Sequence, residues 1–254
     1  MACHRHFRFH MAGMRSATFF ITGTDTGVGK TVLTALLARG LKEKDFRVAA
    51  LKPVGSGGRD DARLLHAALP DVLSLDEINP WHFRASIAPV LAARREHRCV
   101  EAAEVLAHIR ILRKRFDVLL IEGAGGLLSP LGEDFNSRDL IADLDAVPVI
   151  VCPNRLGAVN QVLLTLATLP SPVRARARVV LMSPPKSDGS TRSNRDLLAE
   201  HFDGKRIFQL PWLGGRFALA RAWENLRMRK AVTTLASSLQ KFSVKSHCIS
   251  PAGG

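Results

Sequence analysis

Residues 23–31 read Gly-Thr-Asp-Thr-Gly-Val-Gly-Lys-Thr, and their types and spacing suit an oxyanion-rich ligand. Gly27 and Gly29 let the backbone turn without a Cβ clash, so that successive N–H groups face one concavity. Lys30 supplies a cation for the outer phosphates of a nucleotide. Thr31 falls in the first turn of a following helix, where its hydroxyl can ligate Mg²⁺ and the helix dipole favours an anion. Thr26 and Val28 complete the loop. Five residues separate Gly23 from Gly29, and Thr24 stands where a first glycine is usual, so the loop departs from the common phosphate-binding spacing.

Two further segments carry charge suited to the same ligand. Lys52 leads the stretch Lys52-Pro53-Val54-Gly55-Ser56-Gly57-Gly58, followed by Asp60 and Asp61. Glu122 closes the apolar run 116–121 and leads Gly123-Ala124-Gly125-Gly126. Lys30 and Lys52 are two cations for a polyphosphate. Thr31, Asp61 and Glu122 offer the oxygen ligands that Mg²⁺ prefers, with Asp60 as the alternative to Asp61. A carboxylate at the end of a buried strand is costly unless paired, so Glu122 calls for a cation or metal. Position and charge neutralisation are what phosphoryl transfer asks of a protein.

These groups meet only if the chain folds to bring them together. Ala17–Thr22 is an apolar strand running into the glycine loop, and 31–44 has helical spacing out of it. Strands are expected at 47–51, 116–121, 147–152, 178–181 and 207–210. Helices are expected at 62–69, 101–114, 137–144, 158–169, 191–201 and 231–242. Residues 52–58 read as a loop, and 70–100, punctuated by Pro70, Pro80 and Pro89, as irregular packing segments. Strands alternating with helices predict an α/β fold: a P-loop NTPase-like, mostly parallel sheet with helices on both faces. Ligands of such sheets collect at the carboxyl ends of the strands, where loops 23–31, 52–58 and 122–126 fall.

The chain has 254 residues, enough for one α/β domain over 16–242. The net charge is +13, but the basic clusters at 94–98, 110–115, 174–178 and 227–230 are scattered and lack the interleaved aromatics of a single-strand groove. They read as solvated surface, with no nucleic-acid partner. No apolar run approaches the ~20 residues of a membrane span, so no membrane partner is expected. Cys3, Cys99, Cys152 and Cys248 are far apart, which argues against a disulfide framework or zinc site and fits a reducing, cytoplasmic location. Cys152, in an apolar run, is expected in the core. Residues 1–15, without an acidic side chain, read as a basic upstream extension with Met11 and Met14 as available starts; an organelle targeting peptide is the alternative. Residues 243–254 read as a loose tail.

In order along the chain, Phe20-Ile21-Thr22 with the 23–31 loop, Lys52-Pro53-Val54 with Ser56-Gly57, Asp61-Ala62, Ile121–Gly126, Leu156-Gly157 with Asn160, and Pro211-Trp212-Leu213 resemble the dethiobiotin synthetase family over about residues 16–215. Single elements of the set are shared with the P-loop partition ATPases and amidoligases. The resemblance implies an ATP- and Mg²⁺-dependent enzyme of biotin biosynthesis, which joins 7,8-diaminononanoate and CO₂ into the ureido ring of dethiobiotin. An amine captures CO₂ as a carbamate, the carbamate attacks the γ-phosphate, and the second amine closes the ring and expels phosphate.

By position, the resemblance makes Lys30 and Lys52 the phosphoryl-transfer cations, with Ser56 near the carbamate and Thr26 lining the site. Thr31, Asp61 and Glu122 hold Mg²⁺. Gly27, Val28, Gly29, Gly123, Gly125, Gly126 and Pro211 contact nucleotide or lie near the diamine. Leu156, Gly157 and Asn160 receive the substrate carboxylate from a neighbouring subunit, which implies a homodimer. Gly27 stands where the family often has Glu, and Met182-Ser183-Pro184 where an Asn-Asp pair usually reads adenine. The alternative reading is a partition- or positioning-type P-loop ATPase that binds DNA or membrane. That group usually carries a second lysine early in its phosphate loop, and residues 23–29 contain none.

Overall fold

The computed structural model describes residues 16–212, 214 and 219–242. The expected extension 1–15, the tail 243–254 and Leu213 lie outside them.

In chain order the elements are β1 (Ala17–Gly23), α1 (Lys30–Lys42), β2 (Val48–Leu51), β3 (Val54–Ser56), α2 (Asp60–Ala68), α3 (Leu75–Ile78), β4 (Trp81–Phe83), α4 (Pro89–Arg95), α5 (Ala102–Arg113) and β5 (Val118–Glu122). There follow α6 (Ser137–Asp143), β6 (Val147–Pro153), α7 (Ala158–Ala167), α8 (Ser171–Arg174), β7 (Arg178–Met182), α9 (Gly189–Ala199), β8 (Ile207–Leu210), α10 (Leu219–Glu224) and α11 (Leu226–Gln240). Six strands form one parallel sheet in the order β2-β5-β1-β6-β7-β8. The mostly parallel α/β architecture is the one the alternation predicts.

β1 is central, with Ala17–Ile21 in register with Val118–Glu122 of β5, and Phe19–Gly23 with Val147–Val151 of β6. All seven residues of β1 and all five of β5 are buried, as continuous apolar runs covered on both faces must be. The chain order reverses direction at β1, so its carboxyl end opens into the crevice where such sheets bind ligands. α1 buries Leu33, Leu36, Leu37 and Leu41 against β2 and β5 and packs beside α2 and α11. A second group of helices packs elsewhere on the sheet, with α5 on β5 and α7 on β6. Cys152 is buried in this core, as its apolar setting predicts.

Three expectations about local structure need correction. Residues 54–56 are not loop but β3, which pairs in parallel with β4. Residues 70–100 are not irregular throughout: they hold α3, β4 and α4. The prolines that suggested interruption sit at boundaries, Pro80 just before β4 and Pro89 opening α4. The last helix starts at Leu226 rather than Ala231. Asn225 caps it by accepting from the N–H groups of Arg227 and Met228, and its buried stripe runs Met228, Val232, Leu235, Leu239; the basic run 227–230 masks that period in the sequence.

Candidate active site

The phosphate loop leaves β1 and is tied at once to β6, the Thr24 N–H donating to Val151 O at 3.0 Å. Gly27 and Gly29 take φ of 71° and 98°, the left-handed region that glycine adopts without a Cβ penalty. Gly29 is the N-cap of α1 and has no side chain to accept from the first turn. The orphan N–H groups of that turn are therefore available to an anion. Lys30 is buried, and its ammonium donates to the Asp25 carbonyl at 2.8 Å, folding the lysine back over its own loop. The Gly123–Gly126 segment lies against this loop: a Cβ on Gly126 would stand 3.5 Å from the carbonyl oxygens of Gly23 and Thr24, and one on Gly125 3.8 Å from Thr26 Oγ1.

Behind the loop, four side chains from four separate segments converge. Glu122, the last residue of β5, is 1% exposed. Its Oε1 accepts from the Thr31 hydroxyl at 2.8 Å and from Lys52 Nζ at 3.0 Å. Lys52 also pairs with Asp61. Glu122 Oε2 is buried and has no hydrogen-bond partner among the described residues. Asp61 therefore faces the cluster, whereas Asp60 turns outward to Arg63, at 2.8 Å.

The charges of the cluster are unequal. Burial pushes the Glu122 carboxyl above the ordinary range; Lys52 opposes this and Asp61 adds to it. At Lys52 burial works against the charge, but Glu122 and Asp61 outweigh it and hold the ammonium above its usual value. Burial also disfavours the Asp61 carboxylate, yet Lys52 lowers it. Lys30 is lowered chiefly by burial and also by Lys52, against the pull of Glu122 and Asp61. Lys30, Lys52 and Glu122 thus lie on one side of the molecule, within electrostatic reach of one another.

The other expected residues are less engaged. Ser56 ends β3 and its hydroxyl donates to Ile87 O at 2.5 Å; among the described residues it makes no bond to the cluster. Leu156, Gly157 and Asn160 follow β6 at the same sheet edge, with Leu156 85% exposed and Gly157, at φ 89°, capping α7 without a side-chain bond. Within one chain they make no hydrogen bond or ion pair with Glu122 or Lys52. Pro211 follows β8, three strands along from β1. Met182 ends β7 and reaches over the loop, its Cε standing 3.0 Å from where a Gly29 Cβ would be.

Asn79 and Arg59 were not singled out in the sequence. Asn79 is buried and donates to the Lys52 carbonyl at 2.7 Å. Ser74-Leu75-Asp76-Glu77, a capping-box pattern, marks the start of the helical turn whose far end Asn79 closes, but no sequence signal points to Asn79 or Arg59 themselves.

Among the described residues no group of three or more His, Cys, Asp and Glu could hold a metal by itself. The cluster nevertheless suits Mg²⁺ completed by phosphate oxygens: Glu122 Oε2 is a hard, buried, unpartnered donor, and the Thr31 hydroxyl lies beside it.

A family described as an AAA domain matches residues 17–215. The ATP-dependent dethiobiotin synthetase of Akkermansia muciniphila is 41% identical over 148 residues, 58% of this chain and 70% of that protein. That of Thermodesulfovibrio yellowstonii is 33% identical over 214 residues, 78% of this chain and 89% of that protein. Among solved structures, pNOB8 ParA bound to nonspecific DNA superposes with a TM-score of 0.56 at 15% identity, covering 89% of this chain and 98% of that one. A ParA family ATPase from Chlorobium tepidum gives 0.56 at 16%, covering 87% and 98%. At these identities the likeness to ParA is one of fold alone.

Proposed function

This chain belongs to the dethiobiotin synthetase family, and we propose that its three convergent segments carry out the ring closure of that family. It is an ATP-dependent ligase that forms carbon–nitrogen bonds. The substrates are 7,8-diaminononanoate, CO₂ and ATP. One amine adds to CO₂ and loses a proton, giving a carbamate. A carbamate oxygen attacks the γ-phosphorus and ADP departs, leaving a carbamic–phosphoric anhydride. The second amine attacks the carbonyl carbon, and the ring closes with loss of inorganic phosphate and a proton.

The residues divide this work. The orphan N–H groups around Gly27–Thr31 cradle the nucleotide phosphates. Lys30 leaves the Asp25 carbonyl for the phosphates, and Lys52, held at Glu122 and Asp61, faces the transferring phosphoryl group. Thr31, Glu122 and Asp61 would hold Mg²⁺, which when bound would supply positive charge to offset that of the phosphates. Ser56 lines the carbamate end. The exposed turn of Leu156, Gly157 and Asn160 receives the substrate carboxylate of a second subunit at the start of α7, so the working unit is a homodimer. Among the described residues no helix is long and apolar enough to cross a membrane; we place the enzyme in the cytoplasm, acting on small molecules without nucleic acid or lipid.

The observation that carries this reading is the Glu122 carboxylate: one oxygen holds both Thr31 and Lys52, while the other is buried without a partner among the described residues. The test is phosphate release from ATP. Release that requires the diamine and bicarbonate together is expected; release indifferent to both, and stimulated by DNA or lipid vesicles, would overturn it in favour of a partition-type ATPase.

A further inference from the structure

Lys52 stands just past the end of β2, and β2 is an edge strand of the main sheet. β5 pairs with it only as far as Leu51, opposite Ile121. The peptide groups of Lys52 would be loose were they not held from elsewhere. The Lys52 N–H donates to Ile78 O at 2.9 Å, and the Lys52 carbonyl accepts from Asn79 Nδ2 at 2.7 Å. One residue on, Pro53 O accepts from the Trp81 N–H at 3.1 Å, and β3 and β4 continue the zipper to Ser56 and Phe83.

Ile78 and Asn79 are the end of α3, a single turn locked at its start by a reciprocal bond pair between Ser74 and Glu77. Asn79 is 2% exposed, and Gly55 passes close to it: a Cβ there would stand 3.2 Å from Asn79 Nδ2. The same turn also holds the acid partner of Lys52. Arg59, two residues before Asp61, donates to the carbonyls of Leu75 and Asn79 at 3.1 and 2.9 Å and pairs with Asp76 at 2.8 Å. One short element therefore registers both the Lys52 backbone and the helix start that presents Asp61.

We propose that the Ser74–Asn79 turn is a brace for the phosphoryl-transfer lysine, with Asn79 and Arg59 as its positioning residues. This rests on the reading that Lys52 faces the transferred phosphoryl group. Neither residue touches the reacting atoms. Asn79 fixes where the Lys52 side chain leaves the backbone, and Arg59 fixes where Asp61 meets it. Misplacing such a group by about 1 Å costs on the order of a hundredfold in rate, and loss of one anchoring hydrogen bond about tenfold.

Asn79→Asp keeps the shape but removes the donor, and Arg59→Lys keeps the charge but, on a shorter side chain, not the Nη2 that reaches both carbonyls. Both are expected to lower kcat at least about tenfold with KM for ATP and affinity for ADP within twofold, because the 27–31 backbone that holds the nucleotide is untouched. The decisive readout is a double-mutant cycle. In a Lys52→Ala background, Asn79→Asp is expected to cost less than twofold further. Folded Arg59→Lys and Asn79→Asp proteins with unchanged kcat, or an undiminished Asn79→Asp penalty in the Lys52→Ala background, would overturn the proposal. ATP hydrolysis without diamine can be scored in the same variants. A protein whose turnover ignores diamine and bicarbonate thus refutes the proposed function while the cycle still decides the brace.

Discussion

The phosphate loop and the cluster around Glu122 share one edge of the sheet but are made by different physics. The loop is contiguous. Its geometry comes from two glycines at positive φ and from the unmet N–H groups of a helix start, and the charged side chains in it, Asp25 and Lys30, bond to the loop's own backbone. The cluster is assembled from four separate segments, and every contact in it is a charge or a hydroxyl on a charge. A buried ion set of this kind gains little net stability against its desolvation, but removing one member leaves the others exposed to the full penalty. The loop is thus a matter of backbone conformation and the cluster one of mutual compensation. On the proposed function, the first would hold phosphates and the second would place charge beside a phosphoryl group in transit.

Separating the two gives the largest expected effect. Lys52→Ala takes the central cation from the cluster and leaves the loop intact. Turnover dependent on diamine and bicarbonate should fall about 100- to 1,000-fold, while ADP still binds. Loss of ADP binding in parallel would mean that loop and cluster are not distinct. The converse substitution, Gly29→Ala, forces a Cβ into a φ of 98° and to within 3.0 Å of Met182 Cε. Its cost is about 1–3 kcal/mol of strain. We expect weaker ADP binding and a lower melting temperature, with turnover per bound nucleotide changed only a few-fold. Unaltered nucleotide affinity would remove the loop geometry from the account.

The same contrast explains what could be read in the sequence. The loop lies in nine consecutive residues between a strand and a helix, so local spacing was enough. Lys52 and Glu122 were legible as chemical types at expected strand ends, because a parallel sheet gathers those ends, and Asp61 as an acid opening the helix that follows the Lys52 loop. Their pairing was not: which aspartate faces Lys52 depends on how α2 is rotated, and Arg63 claims Asp60 only in three dimensions. The 70–100 region was illegible for another reason. β3 and β4 are three residues each and α3 one turn, too short for any period to show, and they exist through long-range bonds such as Asn79 to Lys52. The α11 start was hidden because four-residue periodicity was overprinted by arginines on the exposed face.

The smallest effect tests the electrostatic half of the contrast. Asp61 has a folded-state value below the ordinary 3.8, so its contribution to stability is present above that value and disappears as pH falls through the lowered one. Lys52 is held above 10.5, so its contribution is present below 10.5 and disappears as pH rises through the raised value. Asp61→Asn should therefore lower the melting temperature across the interval between those limits, with the gap to the unsubstituted protein closing toward both ends. The gap stays modest, because half of the Asp61 side chain faces solvent, Lys52 keeps Glu122, and the Glu122 carboxylate loses a like-charged neighbour. Gly29→Ala, acting through backbone strain, should show a gap that does not change with pH over the same interval. Two parallel pH profiles would dissolve the distinction between a conformational loop and a compensated cluster; one flat and one domed profile would establish it.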